Sequence, residues 1–294
     1  MAAPTFSANG TATDGAPGGD LTVVPPTHAA DDLLLLWVAT QAEAVSTPSG
    51  GWALVASSTN IPTGVVSLYL FSLIAPNSSV PNVTVTDPGN MGYAFITRIE
   101  DADPTDPIAA VATATATNGN TTGYIAGLLM PEADCLYVGG MAWSLDSAGP
   151  LASGETNADL TGLTERHDAG STDGGGSGII LYTGNKATAG FVGFTTNTIT
   201  STTVASIALA IRPPASAITP TFTCAGTVEV NGVAVADGGT VEIWDKTDGV
   251  LETTTTITGG SGGFSVLVKY DDHDYRAVYD DGSSYGASPL DQAV

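Results

Sequence analysis

The stretch DDLLLLWVAT, residues 31–40, has no polar residue between Leu33 and Ala39. A strand with one solvated face alternates apolar and polar residues, whereas a continuously apolar strand is covered on both faces. In a β-sandwich one alternate set of these side chains enters the core, and the other set needs a second cover. We expect that cover to come from the N-terminal segment of the chain or from a neighbouring subunit. Under the second alternative, Leu34→Asp breaks assembly.

Most of the chain repeats this kind of signal. Short runs rich in Val, Ile, Leu, Tyr, Phe and Thr are separated by Gly, Pro, Asn and Asp, which is typical of strands joined by turns. Examples are WALVASS, SLYLFSLIA, YAFITRIE, CLYVGGMAWS, GIILYTG and VASIALAIR. We find no amphipathic helical pattern, so residues 1–213 are predicted to form an all-β, jelly-roll-like β-sandwich.

Two segments of this part have unusual composition. In VATATATNGNTTG, residues 111–123, strict Ala/Thr alternation predicts a strand with one face on a tight core and a hydroxyl face toward solvent. In HDAGSTDGGGSG, residues 167–178, the many glycines predict a mobile, exposed loop.

A proline-rich segment divides the chain. Residues 214–220 follow Arg212-Pro213 and contain Pro214 and Pro220 among small residues, which favours an extended linker. Beyond it, residues 221–294 contain alternating runs such as TVEIW, FSVLVKY and YRAVYDD, separated by Asp-Gly and Gly-Gly. This pattern predicts a second, small immunoglobulin-like β-sandwich.

The chain is strongly acidic. Thirty Asp and Glu face seven Lys and Arg, for a net charge of −23. The basic residues are scattered singly, so neither nucleic acid nor an anionic membrane is an expected partner. Three interpretations of the acidity stay open: a solvated surface, adaptation to high salt, and divalent-cation binding. The basic residues are Arg98, Arg166, Lys186, Arg212, Lys246, Lys269 and Arg276.

Cysteine and histidine are too few to predict a framework of disulfides or a zinc site. Cys135 and Cys224 fall in different predicted domains and are expected to be buried apolar groups. The histidines, His28, His167 and His273, are dispersed. The N-terminus MAAPTFSANG lacks the basic and apolar regions of a signal peptide, so we expect the protein to be made and assembled in the cytoplasm.

Several segments together resemble known virion domains. The order of DLLLLWVAT, PSGGWALVASS, SLYLFSLIA, RIEDADPTDPIAA and VASIALAIRPP is similar to a jelly-roll domain of virion proteins of tailed bacteriophages and archaeal viruses. The second part, with GTVEVNGVAVADGGTVEIWD and GGFSVLVKY, resembles a carboxypeptidase-regulatory-like (transthyretin-like) module. The resemblance implies a fold and a setting, and it brings no catalytic residue with it.

The candidate catalytic residues do not have the spacing that known catalytic sites require. Glycoside hydrolysis needs two facing carboxylates, but Glu242 and Asp245 are three residues apart and point to opposite faces of a strand. The cluster Glu100, Asp101, Asp103 and Asp106 is expected to be a solvated turn. Ser153, Glu155, His167 and Asp168 have no triad spacing, and Lys186 follows no phosphate-binding loop. We therefore expect no enzyme activity, no catalytic residues and no cofactor.

Three binding or modification features stay open. Asp271, Asp272, Asp274, Asp280 and Asp281 offer oxygen ligands for calcium, although their spacing matches no EF-hand. Asn-x-Ser/Thr sequons start at Asn9, Asn77, Asn82 and Asn120. Among the tryptophans, Trp37 and Trp143 are expected in the core, Trp244 lies on a predicted strand of the second part, and Trp52 is the candidate for a sugar-stacking surface.

The function that the resemblance implies is structural. We expect a surface component of a tailed virus particle, either a capsid decoration, turret or spike, or a tail appendage. Its expected partners are further copies of itself, as a trimer or pentamer, and other virion proteins. The alternative is a receptor-binding module for a host surface glycan, and a polysaccharide depolymerase is the third choice.

Overall fold

The structure, a computed structural model, describes residues 3–15, 18–41, 43–60, 66–86, 88–89, 92–116, 121–172, 176–200, 202–214, 222–227, 229–230, 233–234, 240–245, 250–257, 263–268 and 275–280. Every regular element in these residues is a strand, and the sheets are antiparallel. The predicted all-β class and the β-sandwich are confirmed. The chain divides into two compact units, Met1–Ala215 and Ser216–Val294.

The first unit is built from two main sheets. The first has the order β1-β8-β4-β6-β5, with β2 joined to β8, and the second has the order β14-β15-β12-β18-β9. The strands are β1 (Thr5–Asn9), β2 (Thr13–Gly15), β3 (Leu21–Val23), β4 (Leu33–Thr40), β5 (Ala53–Asn60), β6 (Val66–Ile74), β7 (Val83–Val85), β8 (Gly92–Glu100), β9 (Ile108–Ala116), β10 (Thr122–Ile125), β11 (Leu128–Met130), β12 (Cys135–Trp143), β13 (Ala152–Thr156), β14 (Thr161–Ser171), β15 (Ser177–Lys186), β16 (Gly190–Val192), β17 (Thr195–Ile199) and β18 (Val204–Ile211).

The two main sheets pack face to face through one apolar core. From the first sheet, Leu33, Leu35 and Trp37 on β4 enter this core, and from the second sheet Leu136 and Val138 on β12 enter it. All five side chains are buried. Alternate residues of the apolar strands therefore fill the space between the sheets, as the period of two in a strand requires.

The other face of β4 is covered from within the chain. Leu34, Leu36 and Val38 are fully buried in a second cluster, where a two-stranded ribbon of β3 and β7 packs on the outside of the first sheet. Of the two covers expected for DDLLLLWVAT, the structure shows one from the chain itself: the N-terminal segment supplies β3, and β7, which is not N-terminal, completes the ribbon. The condition under which Leu34→Asp was expected to break assembly is therefore not met, because a carboxylate there is buried inside a single subunit.

The second main sheet is covered in the same way. β11 pairs with β16, while β10, β17 and β13 form a three-stranded sheet, and both lie over the outer face of β12. Thr195 donates a hydrogen bond to the Tyr137 hydroxyl at 3.0 Å, and Asn197 donates one to the Tyr182 hydroxyl at 3.0 Å. Buried polar groups thus tie this outer layer to the main sheet.

The two halves of the first unit repeat one design. If the five main strands of each half are numbered in chain order, both sheets have the order 1-5-2-4-3. The register repeats as well, since Leu33 lies opposite Ile99 on β8 and Leu136 lies opposite Ile211 on β18. Each half completes its own sheet, whereas a jelly roll winds its strands between two sheets through Greek-key connections. The unit is therefore a sandwich of two like-wound halves.

The centre of the sandwich departs from this repetition for a steric reason. Trp37 and Gly140 occupy corresponding positions, four residues after Leu33 and Leu136, and they face each other across the core. A Cβ on Gly140 would lie 2.4 Å from Cζ3 of Trp37. The bare backbone of one half makes room for the indole of the other.

The glycine-rich segment is more ordered than its composition predicts. His167, Ala169 and Ser171 belong to β14, and Ser177 begins β15, opposite Ser171. Gly170 packs where a Cβ would be 2.5 Å from the Ser177 carbonyl oxygen. Close backbone approach, and not mobility, explains the described glycines there, so the loop prediction is wrong for His167–Ser171.

The alternating Ala/Thr segment behaves as predicted. It forms β9, on which Thr113 and Thr115 are exposed while Ala112 and Ala114 pack against the outer cluster of the second half. The later part of the predicted segment includes residues 117–120, which lie outside the described residues.

The second unit consists of short antiparallel strands. β19 pairs with β24, β20 pairs with β21, and β22 lies between β23 and β25. The strands are β19 (Phe222–Thr227), β20 (Glu229–Val230), β21 (Val233–Ala234), β22 (Thr240–Asp245), β23 (Val250–Thr256), β24 (Gly263–Val268) and β25 (Tyr275–Asp280). Val241 and Ile243 of β22 and the nearby Ile257 are buried, so this unit has apolar side chains of its own inside.

Candidate functional site

The residues considered for a triad do not converge. His167 lies against Phe95, with ring centroids 4.1 Å apart, and its Nε2 is 2.9 Å from the Tyr93 hydroxyl. Burial lowers the pKa of His167 to about 4, so the ring is neutral near pH 7. Asp168, the next residue, accepts hydrogen bonds from the backbone amides of Leu151 and Ala152. Ser153 is exposed on β13, and the structure gives it no contact with His167.

The acidic cluster at residues 100–106 has structural hydrogen bonds. Oδ1 of Asp103 accepts bonds from the backbone amides of Thr105 and Asp106 and from the Thr105 hydroxyl. Asp106 forms an ion pair with Arg212. Glu100 accepts a bond from the Ser7 hydroxyl at 2.8 Å and pairs with Arg98 at 2.6 Å. Asp101 and Asp106 are exposed, whereas Asp103 is buried, so the prediction of a solvated turn is wrong for Asp103.

The described histidine and cysteine side chains are placed separately. Nδ1 of His28 is 2.7 Å from the Pro26 carbonyl oxygen, and its Nε2 accepts a bond from the Val80 amide at 3.0 Å. Cys135 is buried on β12, where burial raises the pKa of its thiol. Cys224 lies on β19, and His273 lies outside the described residues. Within the described ranges no three His, Cys, Asp or Glu side chains group together as metal ligands.

The other candidate residues lie on separate strands of the two units or outside the described residues. Glu242 and Asp245 both lie on β22, and Lys186 ends β15. The calcium candidates Asp271, Asp272, Asp274 and Asp281 lie outside the described residues, and Asp280 ends β25.

The sequons differ in access. Asn9 is partly buried at an edge of the sandwich. It donates a hydrogen bond to the Arg166 carbonyl oxygen at 2.8 Å and accepts one from the Thr97 hydroxyl at 2.9 Å. Asn77 and Asn82 are exposed in the segment between β6 and β7. Asn120 is outside the described residues.

Trp37 and Trp143 are fully buried, as predicted. Trp52, the candidate for a surface, is also buried, with 6% of its area exposed. Trp52 lines a small pocket together with Ser49, Asn82 and Thr84. The predicted sugar-stacking surface on Trp52 is therefore wrong, because the side chain is buried.

An exposed apolar patch lies on the outer layer of the second half. We call Tyr124, Leu129, Phe191 and Phe194 the outer patch. The exposed fractions are 39% for Tyr124, 58% for Leu129, 63% for Phe191 and 59% for Phe194. Leu129 on β11 lies directly opposite Phe191 on β16. The rings of Tyr124 and Phe194 meet edge to face, with centroids 6.2 Å apart.

Two glycines allow these side chains to lie together. A Cβ on Gly127 would be 3.1 Å from Cζ of Phe191 and 3.1 Å from the carbonyl carbon of Gly193. The Gly193 amide in turn donates to Asp159 at 2.8 Å, which fixes the turn between Phe191 and Phe194. The missing side chain at residue 127 thus leaves room for the Phe191 ring, and the bonded turn at Gly193 leads directly to Phe194.

The corresponding ribbon of the first half shows that the fold does not require this patch. β3 and β7 pair in the same way, with Leu21 opposite Val85 facing inward, as Leu128 faces inward opposite Val192. The outward pair of the first half is Thr22 and Thr84. Where one ribbon presents two threonines to solvent, the other presents Leu129 and Phe191, at an energetic cost in water.

The sequence predicted none of these outer-patch residues. The runs GLLM and GFVGF contain a signal that could have found two of them. Leu129 and Phe191 are the outward members of these strands, and a large apolar residue at an outward position breaks the alternation expected of a strand with one solvated face.

Comparison of the chain with protein-family models, curated proteins and solved structures gives no match. The described residues include no helix long and apolar enough to cross a membrane.

Proposed function

We propose that the protein is a structural component on the surface of a tailed virus particle and that it acts through protein–protein contacts, not through chemistry. The capsid decoration, turret or spike and the tail appendage are its candidate positions, and other virion proteins are its partners. The setting comes from the resemblance of the strand segments to virion domains.

The observation that carries the contact role is the outer patch. Monomeric proteins seldom expose large apolar side chains together unless the surface binds something. Phe191, Phe194 and Leu129 are each more than half exposed, and the Phe191 ring lies over Gly127 while the Phe194 ring meets Tyr124. Aromatic residues of this kind form the centres of protein–protein interfaces.

The state of the acidic and basic side chains also supports a role without chemistry. Asp103, Asp106 and Asp168 bond to turns and strand ends, and His167 is neutral between aromatic rings. Each of these four groups takes part in a contact within the sandwich.

Particle association tests the proposal. Virus particles from a host that carries this gene are purified by density gradient, and their proteins are identified by mass spectrometry. We expect the chain to be present in fixed proportion to the main capsid protein and to be cleaved by protease added to intact particles. Absence from purified particles would refute the proposal.

A second candidate function is glycan recognition at the cleft beside Trp52. The observation in its favour is that Ser49, Asn82 and Thr84 line a small pocket together with Trp52. A glycan array with the full chain tests it, with Asn82→Ala and Thr84→Ala as variants that leave Trp52 in place. Binding that survives both variants would locate recognition elsewhere.

A further inference from the structure

We propose that the outer patch is the surface through which two copies of this chain associate, with the patch of one copy seated on the patch of the other. This inference deepens the proposed structural role and rests on it for its biological setting. The contact surface consists of Tyr124, Leu129, Phe191 and Phe194. A symmetric pair joined this way is closed, because both copies use the same surface.

The charge distribution favours a second copy as the occupant. The chain has a net charge of −23, so two copies repel each other over most orientations. Residues 107–131 and 187–211 contain no Asp, Glu, Lys or Arg. These two neutral runs include β10, β11, β16 and β17, four of the five strands of the outer layer, while the fifth strand, β13, carries Glu155. The strands that bear the patch therefore add no charge of their own to a contact between two acidic copies.

An acidic and a basic side chain lie beside the patch. Asp159 is exposed and accepts the bond from Gly193, inside the patch. The Lys186 side chain passes near Gly190 at the start of β16, with its Cε 4.0 Å from where a Cβ would be. In a symmetric pair, Asp159 of one copy and Lys186 of the other permit pairing of opposite charges beside the apolar centre.

The exposed area is sufficient for a weak dimer. Aromatic side chains of this size cover roughly 150–250 Å² each, so the four patch residues at their observed exposures present on the order of 400 Å². Two copies bury about 800 Å² through them alone, and the neighbouring threonines need supply only about 400 Å² more to reach the ~1,200 Å² lower end of specific interfaces. The expected product is a dimer in concentration-dependent equilibrium.

Sedimentation velocity of the full chain over a wide range of protein concentration tests the proposal. It is run in about 0.1 M and about 1 M salt, where the screening lengths are about 10 and 3 Å. We expect a monomer–dimer equilibrium that strengthens in the higher salt, because screening removes the repulsion between acidic copies.

The key variant is the double substitution Leu129→Thr with Phe191→Thr, which copies the Thr22–Thr84 pair of the first half. We expect its dissociation constant to rise by about tenfold or more. Leu54→Thr is the matched control, since Leu54 is 50% exposed on β5 in the other half and lies outside the patch. Near-ultraviolet circular dichroism and thermal unfolding verify that both variants keep the native fold.

Three results would overturn the inference. They are a wild-type chain that stays monomeric at all concentrations in both salts, a dimer that persists in the double variant, and a dimer weakened equally by Leu54→Thr. If the wild-type chain is monomeric but the double variant no longer associates with particles, the patch binds a different protein. In that case the self-association is refuted while the proposed structural function stands.

Discussion

Leu36→Ala tests whether the continuous apolar strand is covered on both faces by its own chain. Leu36 is fully buried on β4 and points away from the central core. Its neighbours across the sheet are Phe71 on β6 and Ile96 on β8, and the ribbon of β3 and β7 lies above it. Truncation therefore leaves a cavity between the sheet and its outer cover.

The size of the effect follows from the carbon atoms removed. Leucine to alanine deletes three carbon atoms, worth about 0.8 kcal/mol each in transfer from water. The cavity that remains adds a further term, since the ribbon is joined to the chain at both ends and collapses only partly. We expect the free energy of unfolding of the first unit to fall by about 3 kcal/mol, and its Tm by about 6–12 °C.

Urea unfolding followed by tryptophan fluorescence measures the change, at two protein concentrations. Leu54→Ala on exposed β5 is the control, with an expected loss below about 0.5 kcal/mol. A subunit cover would give a different result, because Leu36→Ala would then change assembly and its cost would depend on protein concentration. A loss under about 1 kcal/mol, or one that varies with concentration, would refute the internal cover.

Further predictions concern the core, the buried histidine and the outer layer. Gly140→Ala forces a methyl group against Trp37 and should cost about 1–3 kcal/mol of stability; an unchanged urea midpoint would contradict the close contact. The pKa of His167 falls from 6.5 to about 4 on burial, so the unfolded chain takes up a proton that the folded chain refuses, and stability drops as pH falls from 6.5 to about 4. His167→Gln should flatten the dependence of the unfolding free energy on pH in this range, by up to about 3 kcal/mol, and an unaltered dependence in urea unfolding would argue against it. Tyr137→Phe removes the acceptor for Thr195 inside the outer layer, and it should cost about 1–3 kcal/mol by leaving the threonine hydroxyl without that bond, as measured by urea unfolding. Equal stability of this variant and the wild type would show that the hydroxyl is satisfied otherwise.

The fold class could be predicted because it rests on composition and period. Runs such as VASIALAIR are continuous, apolar and bounded by turn residues, and they became the doubly covered strands of the main sheets. The same apolar pattern predicts that β4 is covered on both faces, and it is compatible with a cover from the chain or from a second subunit. The sequence could not choose between them, because β3 and β7 are three-residue strands far apart in the chain and carry almost no periodic signal.

Other features depended on contacts between distant residues. The glycines at 170 and 178 suggested a loop, yet each lies where a neighbouring backbone or indole needs the space of a side chain. The two halves repeat their strand order through pairing and register, while their sequences share little more than the pattern of apolar residues. One local feature is repeated in both halves: Asp31 and Asp134 have positive φ values, 68° and 59°, just before the central strand of each half.

Because the two halves have the same strand order, corresponding positions can be compared to find which residues the fold requires. Inward residues of the two outer ribbons are apolar in both halves, because each must cover a main sheet. Outward residues do not cover a sheet and can be polar, and in the first half they are Thr22 and Thr84. Leu129 and Phe191 occupy the same places in the second half without any gain in packing that the fold requires. A cost carried at positions free to be polar is best explained by a contact outside the subunit, and it is the asymmetry between two equivalent ribbons, more than the exposure alone, that identifies this surface.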